Sequence, residues 1–286
     1  MQKFIQIRWK KNQIEEQVTP VKLLSYNVRL FNYYEWLNDK TVPDKIFQYI
    51  CKEDAGIVCL QEFLTINNSN LSLDKIKKKL AGIPYSHINY SFKISENRSL
   101  GIATFSKYPI INKGLLKFEE SPNVVIFSDI KVGKDTLRVY NCHLQSTRLK
   151  KDDFHLIDSL FYGYDEAQLN KLKLLTYRLA DAYKRRAVQS ESLADHINSS
   201  PYSVIVCGDF NDTPVSYTYY KIRNHLKDAF LESGRGIGNT YFGNYPNFRI
   251  DYILHDKQIK SFDFKINRIK WSDHYPIYCS FYVTED

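Results

Sequence analysis

Apolar residues recur along this chain in short runs, and the spacing inside each run separates strands from helices. Leu137-Arg138-Val139-Tyr140 alternates, which predicts a strand with one exposed face. Gly56-Ile57-Val58-Cys59-Leu60 is almost wholly apolar, which predicts a strand covered on both faces. Comparable runs predict strands over residues 22–28, 56–60, 86–92, 101–106, 124–132, 137–144, 203–207, 249–254 and 277–283. Helices are expected over 43–52, which opens on Pro43, over 73–80 behind a serine-rich loop, and over about 167–198. In the last of these, Leu172, Leu175, Leu179, Tyr183, Ala187, Ala194 and Ile197 recur at steps of three and four, two such steps separating Ala187 from Ala194. That spacing gives one packing stripe and assigns Lys184-Arg185-Arg186 to the solvated face.

Strands on both sides of the long helix call for two sheets that bury their apolar faces on each other, with helices outside. There is no internal repeat, low-complexity tract or Gly/Ser linker, so residues 21–286 are expected to form one catalytic domain. Residues 1–20 are expected to be a tail. They include Phe4-Ile5-Gln6-Ile7-Arg8-Trp9-Lys10-Lys11, too short for a signal-peptide core but suited to a membrane surface if the natural chain extends further.

Composition narrows the classes. With 43% hydrophobic and 15% aromatic residues the chain can bury a large core, which excludes a disordered protein. Forty Lys and Arg against 32 Asp and Glu leave a formal charge of +8, which favours phosphate-bearing partners. A solvated surface with a lysine excess accounts for the same number. The five cysteines are odd in count and lack short-spaced pairs, which argues against a disulfide framework and a zinc site. Cys59, Cys142, Cys207 and Cys279 sit in apolar runs and are expected to be buried thiols. A reducing, cytoplasmic setting follows as an expectation. No apolar run approaches the length of a bilayer span.

The chemistry concentrates where apolar runs end in polar residues. Five segments share this pattern: Leu24-Ser25-Tyr26-Asn27-Val28-Arg29, Val58-Cys59-Leu60-Gln61-Glu62, Val139-Tyr140-Asn141-Cys142-His143-Leu144, Val204-Ile205-Val206-Cys207-Gly208-Asp209-Phe210-Asn211 and Ser272-Asp273-His274. A sixth, Arg249-Ile250-Asp251-Tyr252, places a carboxylate within a strand. Taken alone each has a plain structural reading. Asn27 could cap a turn, His143 could be a core histidine, Asp251 could pair with Arg249, and Gly208-Asp209 could be a turn. Together they supply what hydrolysis of a phosphate ester needs. Glu62 and Asp273 suit a hard divalent cation, and Asp209 suits a base. Asn27, Asn211, His143 and His274 can hold phosphoryl oxygens.

In this order the segments resemble the endonuclease/exonuclease/phosphatase superfamily, whose fold is that of deoxyribonuclease I. The match spans Leu23 to about Tyr278. The resemblance implies an α/β fold of four layers, an α/β/β/α sandwich of two mixed β-sheets packed face to face with helices outside. It implies a Mg²⁺-dependent phosphoesterase, with Mn²⁺ as a possible substitute. Glu62 would be the principal metal ligand, with Asn27 and Asp273 close to the metal. Asp209 would activate water, Asn211 orient it, and His143 donate to a phosphoryl oxygen. His274 would contact the scissile phosphate, with Asp251 fixing its ring. Arg29 stands where some nuclease relatives place an acidic ligand, so one metal is expected rather than two.

Such resemblance fixes the bond class and leaves the substrate open. The motifs differ from those of inositol-polyphosphate 5-phosphatases and exonuclease-III-type abasic-site enzymes, and look most like generic bacterial members. Nucleic acid is the expected substrate, cut as a phosphodiester. A lipid headgroup, as in sphingomyelinases, or a small phosphorylated metabolite is the alternative, and a non-catalytic phosphate-binding module is a third reading. Arg29, Arg98, Lys107, Arg148 and Lys150 are candidate phosphate contacts. Phe31, Tyr33, Tyr34 and Trp36 after the first motif, like Tyr217, Tyr219 and Tyr220 after the fourth, could stack on bases, touch lipid or pack under loops. No obligate protein partner is evident and a monomer is expected.

Overall fold

The structure is a computed structural model that describes residues 3–7, 20–119, 121–147, 152–153, 155–156, 165–243 and 247–283. In chain order the first half contains β1 (Ile5–Gln6), β2 (Val21–Asn27), α1 (Val42–Glu53), β3 (Ile57–Ile66), α2 (Leu73–Lys79), β4 (Tyr85–Ser95) and β5 (Arg98–Ser106). Then follow β6 (Ile110–Lys117), β7 (Val124–Val132), β8 (Asp135–His143), α3 (Glu166–Asn198), β9 (Ser203–Asp209) and α4 (Tyr217–Arg223). The last are β10 (Lys227–Asp228), α5 (Ala229–Ser233), β11 (Gly236–Ile237), β12 (Asp251–His255), β13 (Ile259–Ile266) and β14 (Ile277–Val283).

Two six-stranded mixed sheets result, ordered β13-β14-β2-β3-β5-β4 and β10-β12-β9-β8-β7-β6. Within each, one parallel pair lies at the centre, β2 with β3 and β8 with β9. Alternation along these strands assigns their side chains to separate layers. Leu24, Tyr26, Val58 and Leu60 pack with Val42, Ile46, Phe47 and Ile50 of α1. The intervening Leu23, Ile57 and Cys59 meet Leu137, Val139, Ile205 and Cys207 of the other sheet. Tyr140, Cys142, Val204 and Val206 face outward onto Leu193 and Ile197 of α3. The core is therefore three apolar layers, and helices cover both outer faces.

Several expectations are corrected. β8 has no exposed face: Arg138 is 8% exposed because Asp129 on β7 accepts its Nε–H and Nη2–H at 2.7 and 2.8 Å. The strands β6 and β13 add to the expected set. Helix α3 is capped by Asp165, whose side chain accepts from Gln168 N while Gln168 Oε1 accepts from Asp165 N. Its packed stripe is rotated from the expected one and runs through Leu175, Ala182, Arg186, Gln189, Ser190, Leu193, Ala194 and Ile197. Tyr183 is 52% exposed, and Arg186, expected in solvent, is fully buried.

The amino-terminal segment also differs from a tail over residues 3–7. Ile5 and Gln6 pair with Ile237 and Gly236, Gly238 N donates to Phe4 O, and Arg249 Nη1 donates to Lys3 O. All four cysteines of the apolar runs are buried and free, and Cys51 is exposed. Among the described residues no helix is long and apolar enough to cross a membrane.

Candidate active site

The carboxyl ends of the two parallel pairs lie at one end of the sandwich, and the motif residues meet there. Asn27 closes β2, His143 closes β8 and Asp209 closes β9. Glu62 sits mid-β3 at a register shift, with φ of 50°. This bulge turns its carboxylate out of the ladder. Gly208 has φ of +129°, and a Cβ there would lie 2.1 Å from Cys142 O, so glycine alone lets β9 approach β8 one residue before Asp209. Asp251 opens β12 opposite Asp209. Asp273 and His274 lie in the loop before β14.

The contacts define a compact cluster. Asn27 Nδ2–H donates to Asp209 Oδ2 at 3.0 Å and to Glu62 Oε1 at 3.3 Å, while its Oδ1 accepts from Arg29 N. His274 Nδ1–H donates to Asp251 Oδ2 at 2.9 Å, leaving Nε2 facing Asp209 Oδ2 at 3.7 Å and Asp273 Oδ1 at 4.0 Å. His143 Nε2 lies 3.9 Å from both Glu62 Oε1 and Asp209 Oδ2. Asn211, at φ of 53°, donates its backbone N–H to Asp209 Oδ1 and its Nδ2–H to Leu144 O. Arg29 Nη1 stands 3.2 Å from Asp273 Oδ2.

Of the expected site residues, the structure thus gathers Asn27, Arg29, Glu62, His143, Asp209, Asn211, Asp251, Asp273 and His274. Arg98 is set apart, over the ring of Tyr33. Arg148 lies outside the described residues. Asp251 does not pair with Arg249, which binds Asp228 instead.

Electrostatics follow from crowding. Burial opposes charge on His274, but Asp251 and Asp209 outweigh it and push its pKa up to about 10, so the ring is an imidazolium at neutral pH. Burial raises Asp209 to about 6 against the pull of His274 and His143. Burial, then the nearby Asp273 carboxylate, raises Glu62. Burial lowers His143 and keeps it neutral.

Three carboxylates, Glu62, Asp209 and Asp273, therefore share this cleft with two cations, His274 and Arg29. The set fits a hard divalent ion, because its donors are oxygens and Glu62 keeps a quarter of its side chain open to solvent. Asp209, Asp251 and His274 also fall within the span of a metal cluster, yet His274 Nδ1 is already committed to Asp251. Glu62 is the better anchor. Asn27 Oδ1 accepts one bond from Arg29 N and keeps a second lone pair that could face an ion.

Supporting roles escaped the sequence reading, although Gln61, Asn141 and Ser272 lie inside the motifs themselves. Gln61 Nε2–H donates to Asn141 Oδ1, and Asn141 Nδ2–H to Ala103 O, bonding the two sheets beneath the site. Ser272 Oγ–H donates to Asn27 O and accepts from His274 N. Thr240 Oγ1 accepts from Asp251 N and its carbonyl accepts from Tyr275 N. Arg186 donates to Asp212 Oδ2 at 3.0 Å and to Gln145 O at 2.8 Å, while Gln189 Oε1 accepts from Gln145 N. Helix α3 thereby holds the segments that follow both His143 and Asp209. The step of three or four through Ala182, Arg186 and Gln189 was the available signal for it.

A two-sheet α/β sandwich with this paired-carboxylate and histidine cleft defines a phosphate-ester hydrolase. The chain belongs to the Endonuclease/Exonuclease/phosphatase family, whose profile matches residues 24–274. Solved structures share the fold. An endonuclease/exonuclease/phosphatase from Bacteroides vulgatus is 17% identical, with 93% of this chain and 100% of that chain covered at a TM-score of 0.66. The human Nocturnin catalytic domain with bound sulfate is 16% identical, covering 93% and 95%, at 0.64. Sphingomyelinase C from Streptomyces griseocarneus is 17% identical, covering 92% and 99%, at 0.60. No curated protein matches the sequence significantly.

Proposed function

We infer that this chain is a divalent-cation-dependent phosphodiesterase acting on nucleic acid, with Mg²⁺ the expected ion and Mn²⁺ a substitute. The observation that carries the reading is the meeting of Asp209, near neutrality in its proton affinity, with a His274 held cationic by Asp251. Glu62 would hold the ion, assisted by Asp273 and Asn27. When bound, the ion neutralises phosphate charge and the charge that develops on the leaving oxygen.

The remaining chemistry belongs to the side chains. A carboxylate with a pKa near 6 is ionised at neutral pH yet basic enough to take a proton from water, which is the role of Asp209. Asn211 keeps Oδ1 available beside it to orient that water. His274 Nε2–H and His143 Nε2 bracket the Asp209 oxygen, where they can donate to phosphoryl oxygens as charge builds. Arg29 beside Asp273 supplies a fixed positive charge at the rim. The net charge of +8 supports a polyanionic substrate.

A chelator-controlled panel tests the reading: single- and double-stranded DNA and RNA, choline phospholipids and phosphorylated metabolites, each with Mg²⁺ and with excess EDTA. Metal-dependent cleavage of nucleic acid is expected. Release of phosphocholine without any nuclease activity would move the assignment to lipid headgroups.

A further inference from the structure

A second cluster adjoins the catalytic one, in the loop between β2 and α1. Arg29, Leu30, Phe31 and Asn32 have φ of 41°, 51°, 53° and 61°, and Glu35 follows at 51°. Successive L-residues avoid this left-handed conformation because Cβ crowds the next carbonyl oxygen. The loop keeps it because it is pinned. The Phe31 ring is buried 5.0 Å from that of Phe47 and 5.8 Å from that of Phe63. The Asn32 side chain donates to Leu37 O and Asp39 O and accepts from Leu37 N.

The outcome is two cation–ring pairs, one within the loop and one joining it to β5. The Arg29 guanidinium, already 3.2 Å from Asp273, lies 4.4 Å from the centre of the Trp36 ring. Arg98, at the start of β5, lies 5.3 Å from the Tyr33 ring, which meets Tyr34 edge-on at 5.1 Å. Tyr34 is 69% exposed. Leu30, Phe31, Tyr33 and Leu37 pack on the first-sheet core, so Tyr34 is the ring that the loop leaves outermost. The loop leaves no aliphatic or phenyl side chain fully exposed to enter an acyl layer. Two guanidinium–ring pairs with an exposed ring beside one of them suit an unpaired strand, the cations meeting phosphates and the exposed ring lying under a base. Bases stacked within a duplex cannot present their faces to such rings.

We propose that the loop after β2, with Arg98, is a preformed stacking platform for an unpaired nucleotide flanking the scissile phosphate, and that it directs the enzyme to single-stranded nucleic acid. The proposal rests on the nuclease reading above. Tyr34→Ala and Arg98→Ala test it, since neither residue belongs to the catalytic cluster and both lie at the surface. In an Asp209→Asn background that blocks turnover, anisotropy of labelled oligonucleotides with Mg²⁺ should show single-strand Kd rising on the order of tenfold in each variant. Duplex Kd should stay unchanged. Both variants should keep the thermal midpoint of the parent, which separates lost stacking from lost folding. Unaltered single-strand affinity in both variants overturns the platform even where nuclease activity is present. Loss of binding to phosphatidylcholine–sphingomyelin vesicles in Tyr34→Ala, with oligonucleotides unaffected, overturns it in favour of lipid. Absence of any nucleic-acid cleavage by the wild type instead overturns the nuclease reading, which the binding measurements do not depend on.

Discussion

Asp209 and Asp228 are each about 1% exposed, yet their surroundings could hardly differ more. Asp228 is met by Arg249, by the Tyr219 hydroxyl at 2.7 Å and by Phe230 N at 3.0 Å, and the guanidinium of Arg249 lies against Phe230 and Tyr252. Charge there is matched one to one and walled by rings. Asp209 shares His274 with Asp251 and stands among further carboxylates, so its proton affinity is displaced towards neutrality. Buried charge that is fully matched makes a brace. Buried charge left in excess makes a site that can exchange protons and hold cations.

Substitutions should separate the two kinds. Asp209→Asn removes a base from an over-charged cluster. Its kcat is expected to fall on the order of 10²–10⁴-fold while the thermal midpoint does not drop, as turnover and calorimetry would show. A large loss of stability would make Asp209 a brace as well. Asp228→Ala should do the opposite. Stranding Arg249 should cost about 3–5 kcal/mol in denaturant unfolding, with kcat per folded molecule close to wild type.

His87 is a matched buried group of a milder sort, with Nδ1 at 3.0 Å from Ser128 Oγ. Burial, aided by Lys113, lowers its pKa to about 4. The unfolded chain therefore binds its proton first as pH falls. Stability should be lost between about pH 6.5 and 4, by roughly 2–3 kcal/mol at the acid end. Unfolding curves of His87→Gln across that window should be flatter. An unchanged slope would assign the acid sensitivity elsewhere. The smallest effect is expected at the link between helix α3 and the site. Gln189→Leu leaves Gln145 N without its acceptor and should cost about 1–2 kcal/mol, with a few-fold fall in kcat at constant KM.

How far the sequence disclosed all this depended on the kind of residue. Central strands were legible because burial on both faces leaves an apolar run, as in Ile57–Leu60. The edge strands β6 and β13 were not, although the edge strand β4 was. In β6 and β13 only part of each strand faces the core, and Asn112, Lys113, Lys260 and Asp263 break the pattern. The cleft residues were legible because they close, open, bulge from or closely flank apolar runs. Arg186 was misread because a cation in a helix is ordinarily assigned to water, whereas Asp212 and the Gln145 carbonyl, both distant in sequence, make its burial tolerable. Thr240 and Ser272 serve through backbone contacts that no local pattern announces. The amino-terminal strand was hidden by its two-residue length and by a partner more than 200 positions away.

The residues of the cleft are divided between the sheets. Asn27 and Glu62 come from one, His143, Asp209 and Asp251 from the other, and Gln61 with Asn141 bonds the seam below them. Neither half of the chain carries a working set, so no autonomous fragment should hydrolyse anything. During refolding, turnover should return only after the last docking event. Catalysis would then serve as a late clock, lagging any spectroscopic signal that reports strand formation alone.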